Sequence, residues 1–280
     1  MAYGSPEPGP DGIAAYYTHI RGGRPPSPEA LADLVERYRA IGGSPLAEIT
    51  GRQAAALGRR LGVPAFVGMR HSAPFIEAGA AEARAAGVER LVGLVLAPHF
   101  SRMSLGAYEA RLREAWGDGL VFIPGFHDHP AFIGAVRGLL QEALEGYPAD
   151  HLFFTAHSLP ERILADGDPY RDQLQETCRL VAAEACLPPW ELAFQSRSTT
   201  GEPWLGPDIL EALAASGARR ALVCPVGFVA DHLEILYDLD VETQAFARRR
   251  GIEVRRTASF NDRTEFVDAL AAVVSDFLSP

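Results

Sequence analysis

The chain has 280 residues, 48% of them apolar, with 36 acidic against 26 basic side chains. That length suits one large or two ordinary domains, with cores that need no disulfide or metal, and the composition excludes wholesale disorder. The net charge of −10 argues against nucleic acid and anionic membrane surfaces as partners, no apolar run approaches the roughly 18 residues of a membrane span, and the opening Met-Ala-Tyr-Gly-Ser-Pro is not a basic-then-apolar leader.

In chain order, the pattern predicts helices over 27–38 and 46–61, a strand over 65–68, a helix over 75–86 and a strand over 90–97. A helix over 104–116, a strand over 120–123, a helix over 130–144 and a strand over 151–156 follow. The rest reads as a helix over 169–184, a strand over 191–195, a helix over 207–216, a strand over 220–225, a helix over 231–250, a strand over 251–257 and a helix over 261–278. The strands are short, apolar and bounded by turn residues, as buried parallel strands are. Their alternation with Ala/Leu/Glu/Arg-rich helices means βαβ units and a doubly wound α/β fold. A seam near 116–120 divides the chain into 1–118 and 119–260, and the closing helix can return to either half. Cys178, Cys186 and Cys224 form no CxxC pair. They read as small hydrophobes in a reducing, cytoplasmic setting.

Ligands of open α/β sheets sit beyond the carboxyl ends of strands. His71, His99 and His157 each follow a predicted strand, and the segment from Gly227 to Glu234 follows another. A single histidine there is more often a hydrogen-bonded structural residue than a ligand. On a helix, Glu234, Asp238 and Glu242 share one face, with Asp231 on the same side. Such a row repels itself, and either a bound cation or plain solvation resolves that. Both readings stay open. His157 beside Glu234 would form an imidazole–carboxylate pair, able to hold a divalent ion loosely or accept protons, with Nε2 of the ring expected within reach of the carboxylate. Ser158 lacks a GxSxG elbow and is discounted as a nucleophile. Tyr16, Tyr17, Thr18, Arg21, Arg24, Arg37, Tyr38 and Ser44 form a basic, hydroxyl-rich cluster near the N-terminus. Guanidinium pairs bidentately with carboxylate, so the cluster suits a polycarboxylate ligand.

Eight fragments in order, YYTHIRGGRPP, RYRAIGGSPL, FVGMRHSAPFIEAG, LVLAPHFSRMS, FTAHSLPERI, GDPY, FQSRSTTGEPWLGP and PVGFVADHLEILYDLD, resemble the ferrochelatase family over essentially the whole chain. The opening turn and the PHFS turn are most similar to the coproporphyrin III ferrochelatases of Gram-positive-type bacteria. The resemblance implies a chelatase-like fold of two flavodoxin-like, Rossmann-like halves with a porphyrin cleft between them, and a helix 261–280 packed back on the first half. It implies that His157 binds metal and accepts protons with Glu234 as its partner. Asp238 and Glu242 match an acidic trail that holds a second divalent ion in some relatives. Tyr3 matches a tyrosine on the opposite macrocycle face, an axial ligand to the product iron. Arg21, Arg37, Tyr38, Ser44 and Tyr108 match residues that hold propionates, and His71 matches a further cleft histidine. Relatives carry an apolar strand before the tyrosine turn, so the natural start is expected upstream of Met1. The chain ends without the cysteine-bearing tail of cluster-containing relatives, so no iron–sulfur cluster is expected.

The implied reaction inserts Fe2+, as substrate, into coproporphyrin III, with no prosthetic group. The implied setting is a cytoplasmic monomer that works beside haem-pathway enzymes, with neither nucleic acid nor membrane as partner. Rival readings are a protoporphyrin IX ferrochelatase, a chelatase for another tetrapyrrole such as sirohydrochlorin, and a porphyrin or haem carrier without turnover.

Overall fold

The computed structural model describes residues 1–198 and 201–278. The first helix, α1 (Pro10–Ile20), is one that sequence patterning does not predict. It follows a run of Gly and Pro that reads as loop, and Pro10 in its first turn needs no N–H partner there. Helices α2 (Pro28–Ala40), capped by the Ser27 hydroxyl, and α3 (Leu46–Leu61), ended by Gly62 in the left-handed region, lie within two residues of expectation. Then come α4 (Ile76–Ala85), β1 (Leu91–Leu94), α5 (Leu105–Trp116), β2 (Leu120–Ile123), α6 (Pro130–Leu144) and β3 (His151–His157). They are followed by the single turn α7 (Arg162–Ala165), α8 (Tyr170–Ala183), β4 (Trp190–Gln195), α9 (Ile209–Ser216) and β5 (Arg220–Cys224). The chain closes with α10 (Leu233–Leu236), a π-helical segment (Asp238–Thr243), α11 (Gln244–Arg249), β6 (Glu253–Arg256) and α12 (Thr264–Leu278).

Every strand pairing is parallel, in a two-stranded sheet β1-β2 and a four-stranded sheet ordered β4-β3-β5-β6. Helices flank both. β3 runs through the centre of the larger sheet with Leu152 to Ala156 buried, as a strand covered on both faces requires. β2 registers with β1, Leu91 opposite Leu120. A division at 118/119 therefore cuts one sheet in two, and the seam falls after β2. α12 packs on α3 of the first half and α6 of the second. It is tied to α3 by Arg60 Nε–Asp268 (2.6 Å), and the residue just before it, Arg263, is tied to α6 through Glu142 (2.6 Å).

Two predicted elements take another form. Residues 65–68 form no ladder: a strand needs hydrogen-bonded neighbours, and here the Gly68 carbonyl accepts from Ala2 N–H (3.2 Å) while Met69 makes single bridges to Ala2 and Phe75. The predicted helix 231–250 breaks into α10, the π segment and α11. In the π segment the bonds reach five residues back, as in Glu242 N–H to Tyr237 O (2.9 Å).

Candidate functional site

The site forms where β3 ends. His157 stands at the strand's last position, and its backbone carbonyl accepts a hydrogen bond from the buried Tyr170 hydroxyl at 3.0 Å. The chain after β5 turns back over this point. Gly227 makes the turn, since a Cβ there would lie 2.6 Å from the Ala156 Cβ. Asp231 then anchors the returning loop. Its carboxylate accepts from Asn261 Nδ2 (2.9 Å) and Ser259 Oγ (2.7 Å) and pairs with Arg256 (3.4 Å). Asp231 is thus not a member of the acidic row that an unbroken helix would have made; it is a structural clamp.

The clamp delivers Glu234 to His157. Glu234 Oε2 lies 3.3 Å from His157 Nδ1 and 3.7 Å from His232 Nε2. Nδ1, not Nε2, therefore meets the carboxylate. The approach is in ion-pair range but not aligned as a hydrogen bond, leaving Nδ1 a buried polar atom without a directed partner. Sequence reasoning did not single out His232. Its Nδ1 lies 2.9 Å from the Ala230 carbonyl, which can only accept, so the proton sits on Nδ1. Nε2 then faces a carboxylate, an arrangement that favours the imidazolium. Gln195 Nε2 donates to the Glu234 backbone carbonyl at 2.7 Å and fixes that turn to β4.

The charges follow from this geometry. Burial opposes ionisation of Glu234, yet His157 and His232 hold its carboxyl well below the usual range. Desolvation pulls both imidazoles down, and the Glu234 charge overcomes it and raises both. Asp238, at the start of the π segment, is buried against Ser196 Oγ and 3.6 Å from Arg37 Nη1. Burial and the Glu234 charge push it up to about 7. Glu242 is exposed at the far end of the segment, near enough for its charge to act on Arg37 and Asp238.

A carboxyl raised in this way stays protonated after its unfolded counterpart, normally near 3.8, has ionised. The folded state therefore loses stability as pH climbs from about 4 to about 7, and the deficit is constant above that. An Asp238→Asn chain should be more stable than the parent by on the order of 2 kcal/mol at pH 8. That margin should shrink toward zero at pH 4 in paired thermal melts, and a pH-independent difference would contradict the assignment.

The opposite wall comes from the first half. Tyr3 lies beside His71, with ring centroids 4.5 Å apart and His71 N–H bonded to the Tyr3 carbonyl (2.9 Å). Tyr3 as a whole is 41% exposed. Burial of the hydroxyl and the charge of Glu234 raise its pKa to about 12, which places the two walls within electrostatic reach of each other. His71 meets His19 Nδ1 to Nδ1 at 3.1 Å, and burial together with the Arg70 charge lowers it to about 4.

The propionate candidates divide. Arg21 is exposed, bonded through Nε only to the Arg24 carbonyl (3.3 Å). Ser44 is half-buried ahead of α3. Arg37 spans the two walls, paired with Asp33 (2.8 Å) and Asp238 and lying 4.9 Å over the Tyr237 ring. Tyr38 is buried beside Tyr16, which itself donates to the Gly4 carbonyl at 2.9 Å. Tyr108 is buried beneath Arg70, whose guanidinium lies 5.5 Å from its ring. Arg70 therefore borders Tyr3, His71 and Tyr108 together, a role visible only in three dimensions. His99, the remaining strand-end histidine, is structural. It is fully enclosed, 2.9 Å from Thr177 Oγ1, and burial lowers it to about 3.

A family model described as Ferrochelatase matches residues 1–278. The coproporphyrin III ferrochelatase of Bacillus subtilis (strain 168) is 41% identical over 295 residues, covering 98% of this chain and 95% of the relative. That of Oceanobacillus iheyensis is 42% identical over 294 residues (98% and 94%), and a ferrochelatase of Herpetosiphon aurantiacus is 39% identical over 295 residues (98% and 96%). Among solved structures, SirB from Bacillus subtilis with Fe3+ superposes with a TM-score of 0.60 at 12% identity, covering 83% of this chain and 90% of SirB. CbiX from denitrifying bacteria gives 0.59 at 15% identity, covering 99% and 97%. These two show that the parallel α/β architecture is the chelatase fold. Matched by the family model almost from end to end, and about two-fifths identical to curated members along that length, the chain belongs to the ferrochelatase family.

Proposed function

We propose that the chain inserts Fe2+ into coproporphyrin III to give its iron complex, coproheme. The observation that carries this reading is the His157–Glu234 pair, 3.3 Å apart at the end of β3, with Tyr3 near enough for the Glu234 charge to act on its hydroxyl. Relatives 40 to 42% identical that bear the coproporphyrin III ferrochelatase name support the choice of porphyrin.

Insertion exchanges one Fe2+ for the two pyrrole protons. A flat free-base ring points its lone pairs inward, so a wall shaped for a bent ring favours the geometry that metal entry needs. With Nδ1 turned to Glu234 in ion-pair range, His157 keeps Nε2 for the incoming ion or a departing proton. Glu234, ionised between two imidazoles, supplies the negative charge that attracts the cation and then stabilises the proton left on either ring. Asp238, pushed up to about 7, exchanges a proton near neutrality on the outward side of Glu234, and the exposed Glu242 continues the acidic path. In this reading a second divalent ion would lie along Asp238 and Glu242. Tyr3 backs the opposite ring face. Arg21 and Ser44 stand at the rim that receives propionates, with the buried Tyr38 and Tyr108 hydroxyls behind it, and Arg37 joins them by exchanging Asp33 or Asp238 for a propionate. The place of action is the cytoplasm, in keeping with three free thiols, of which Cys186 is exposed.

The test is metalation of coproporphyrin III and of protoporphyrin IX, followed by absorbance with Fe2+ or Zn2+. Many turnovers, faster on coproporphyrin III, are expected. Metal uptake that stops at one equivalent would identify a carrier, and a preference for protoporphyrin would overturn the substrate. Arg21→Ala should raise KM for coproporphyrin about tenfold, the worth of one charge-assisted bond, with kcat and Tm nearly unchanged. An unchanged KM would remove Arg21 from the rim.

A further inference from the structure

The turn that follows β1 belongs to the first half but is bonded into the second. Phe100 N–H donates to Gln173 Oε1 of α8 (2.7 Å), and the Arg102 guanidinium donates to the Asp166 carbonyl (2.6 Å). Between these two points in the chain stands Asp168, buried at 6% exposure. One of its carboxylate oxygens accepts from Ser101 Oγ (3.0 Å) and Arg102 N–H (2.7 Å), and the other from Tyr170 N–H (3.0 Å). A buried carboxylate with two donors from one half and one from the other joins the halves through charge-assisted bonds. On the first-half side the path goes on. Met103 N–H donates to Ser101 Oγ (3.2 Å), and Arg70, which borders Tyr3 and His71, donates to the Met103 carbonyl (3.3 Å).

On the second-half side the path ends at His157. β5 pairs with β3 only as far as Phe154, and the turning chain still gives Gly227 N–H to the Thr155 carbonyl (3.0 Å). Groups two residues apart face the same edge of a strand, so the next carbonyl on that edge is that of His157. The Tyr170 hydroxyl takes it at 3.0 Å. Burial and the charges of Glu234 and Asp168 push that hydroxyl up, so it remains a donor across the working pH range. The bond matters because the His157 ring has no directed bond of its own: Nδ1 meets Glu234 in ion-pair range and without alignment. Where Nε2 points is then decided by the backbone from which the ring hangs.

We propose that Asp168 is a positioning residue for metal insertion, acting through Tyr170. It fixes the end of β3 that carries the His157 ring and, by the same carboxylate, ties that point to the wall of Tyr3 and His71. The proposal rests on the reading of His157 as the group that handles metal and protons. A misplacement of about 1 Å can cost a positioned reaction about 10²-fold, so a tie this close to the ring has a kinetic effect beyond its share of stability.

The test uses full-length Asp168→Asn and Tyr170→Phe chains, singly and combined. Asparagine fits the space, but its amide end only donates, so either Arg102 N–H or Tyr170 N–H loses its acceptor. Phenylalanine removes the hydroxyl alone. Each single variant should insert iron about tenfold more slowly in a single turnover, with coproporphyrin affinity by fluorescence quenching within about twofold of the parent. The double variant should be no slower than the slower single one, because both break one path. Rates at the parent level, a double variant slower by about a hundredfold, or porphyrin affinity that falls in step with the rate would each overturn the proposal. The nitrogen-15 signals of the His157 ring should shift in both single variants, even in a chain that inserts no iron. A parent without turnover therefore counts against the function, and unmoved signals count against the positioning. Should Asp168→Asn fail to fold, Ser101→Ala, which removes one first-half donor, should slow insertion and move the signals in the same sense, and a Ser101→Ala chain indistinguishable from the parent would overturn the link.

Discussion

A His157→Ala chain should bind coproporphyrin with near-native affinity and insert iron about 10² to 10⁴ times more slowly, the range lost with a positioned proton-transfer group. The fold should tolerate the change. The His157 ring pairs with the Glu234 carboxylate, and the bond from the Tyr170 hydroxyl goes to the His157 backbone carbonyl, which alanine keeps. β3 also stays in register with β4 and β5 through buried residues from Leu152 to Ala156. Fluorescence quenching reads porphyrin binding, and single-turnover absorbance reads insertion. If insertion proceeds at the parent rate, His157 is not the group that handles metal and protons.

Replacing Glu234 by Gln should have a comparably large effect with a different signature. The carboxylate is what lifts His157 and His232 against their own burial. Without it desolvation wins, and both imidazole pKa values should fall, as nitrogen-15 spectra of the histidines would record. His157 must be neutral to accept a proton or bind iron. The acid limb of the rate profile should therefore move to lower pH even as the plateau drops about 10² to 10³-fold. Linkage gives a second readout. An imidazole raised in the folded state stabilises fully below its unfolded pKa, near 6.5, and that contribution is lost as pH rises through the folded value. The stability deficit of the Gln variant should be greater at pH 6 than at pH 9. A limb that stays in place, or a deficit that grows with pH, would show that Glu234 does not govern the two rings.

Much of the fold is legible in residue order because the local signals agree with the global packing. β2 and α6 follow expectation to the residue: an apolar run closed by Pro124-Gly125, and a Pro-initiated amphipathic run capped by His129. The meeting of His157 with Glu234 beyond the end of β3 is legible for the same reason, since a parallel sheet fixes where a chain must turn. The failures are cases where distant residues decide. Spacing places Asp231 with Glu234 only if the helix is regular, but Arg256, Ser259 and Asn261, 25 to 30 positions onward, hold Asp231 elsewhere. Tyr170, Gln195, Arg70 and His232 act through backbone carbonyls, ring faces or second nitrogens, and no sequence motif encodes such contacts. Tyr38 and Tyr108 were singled out for hydroxyls that could hold a ligand, yet both rings are also core residues.

The π segment fixes more than the aim of one carboxylate. Its widened turn holds an additional residue, and both ends are tied: Asp238 to Ser196 and Arg37 before it, Gln244 to the Val254 carbonyl after it. Deleting any one residue between 238 and 243 would rewind the coil to an ordinary pitch and swing the following helix by about 100°, breaking one tie or the other. The exposed side chains of this stretch, Val241 and Glu242, can be exchanged, but its length cannot, so libraries that vary this region should substitute there and never insert or delete.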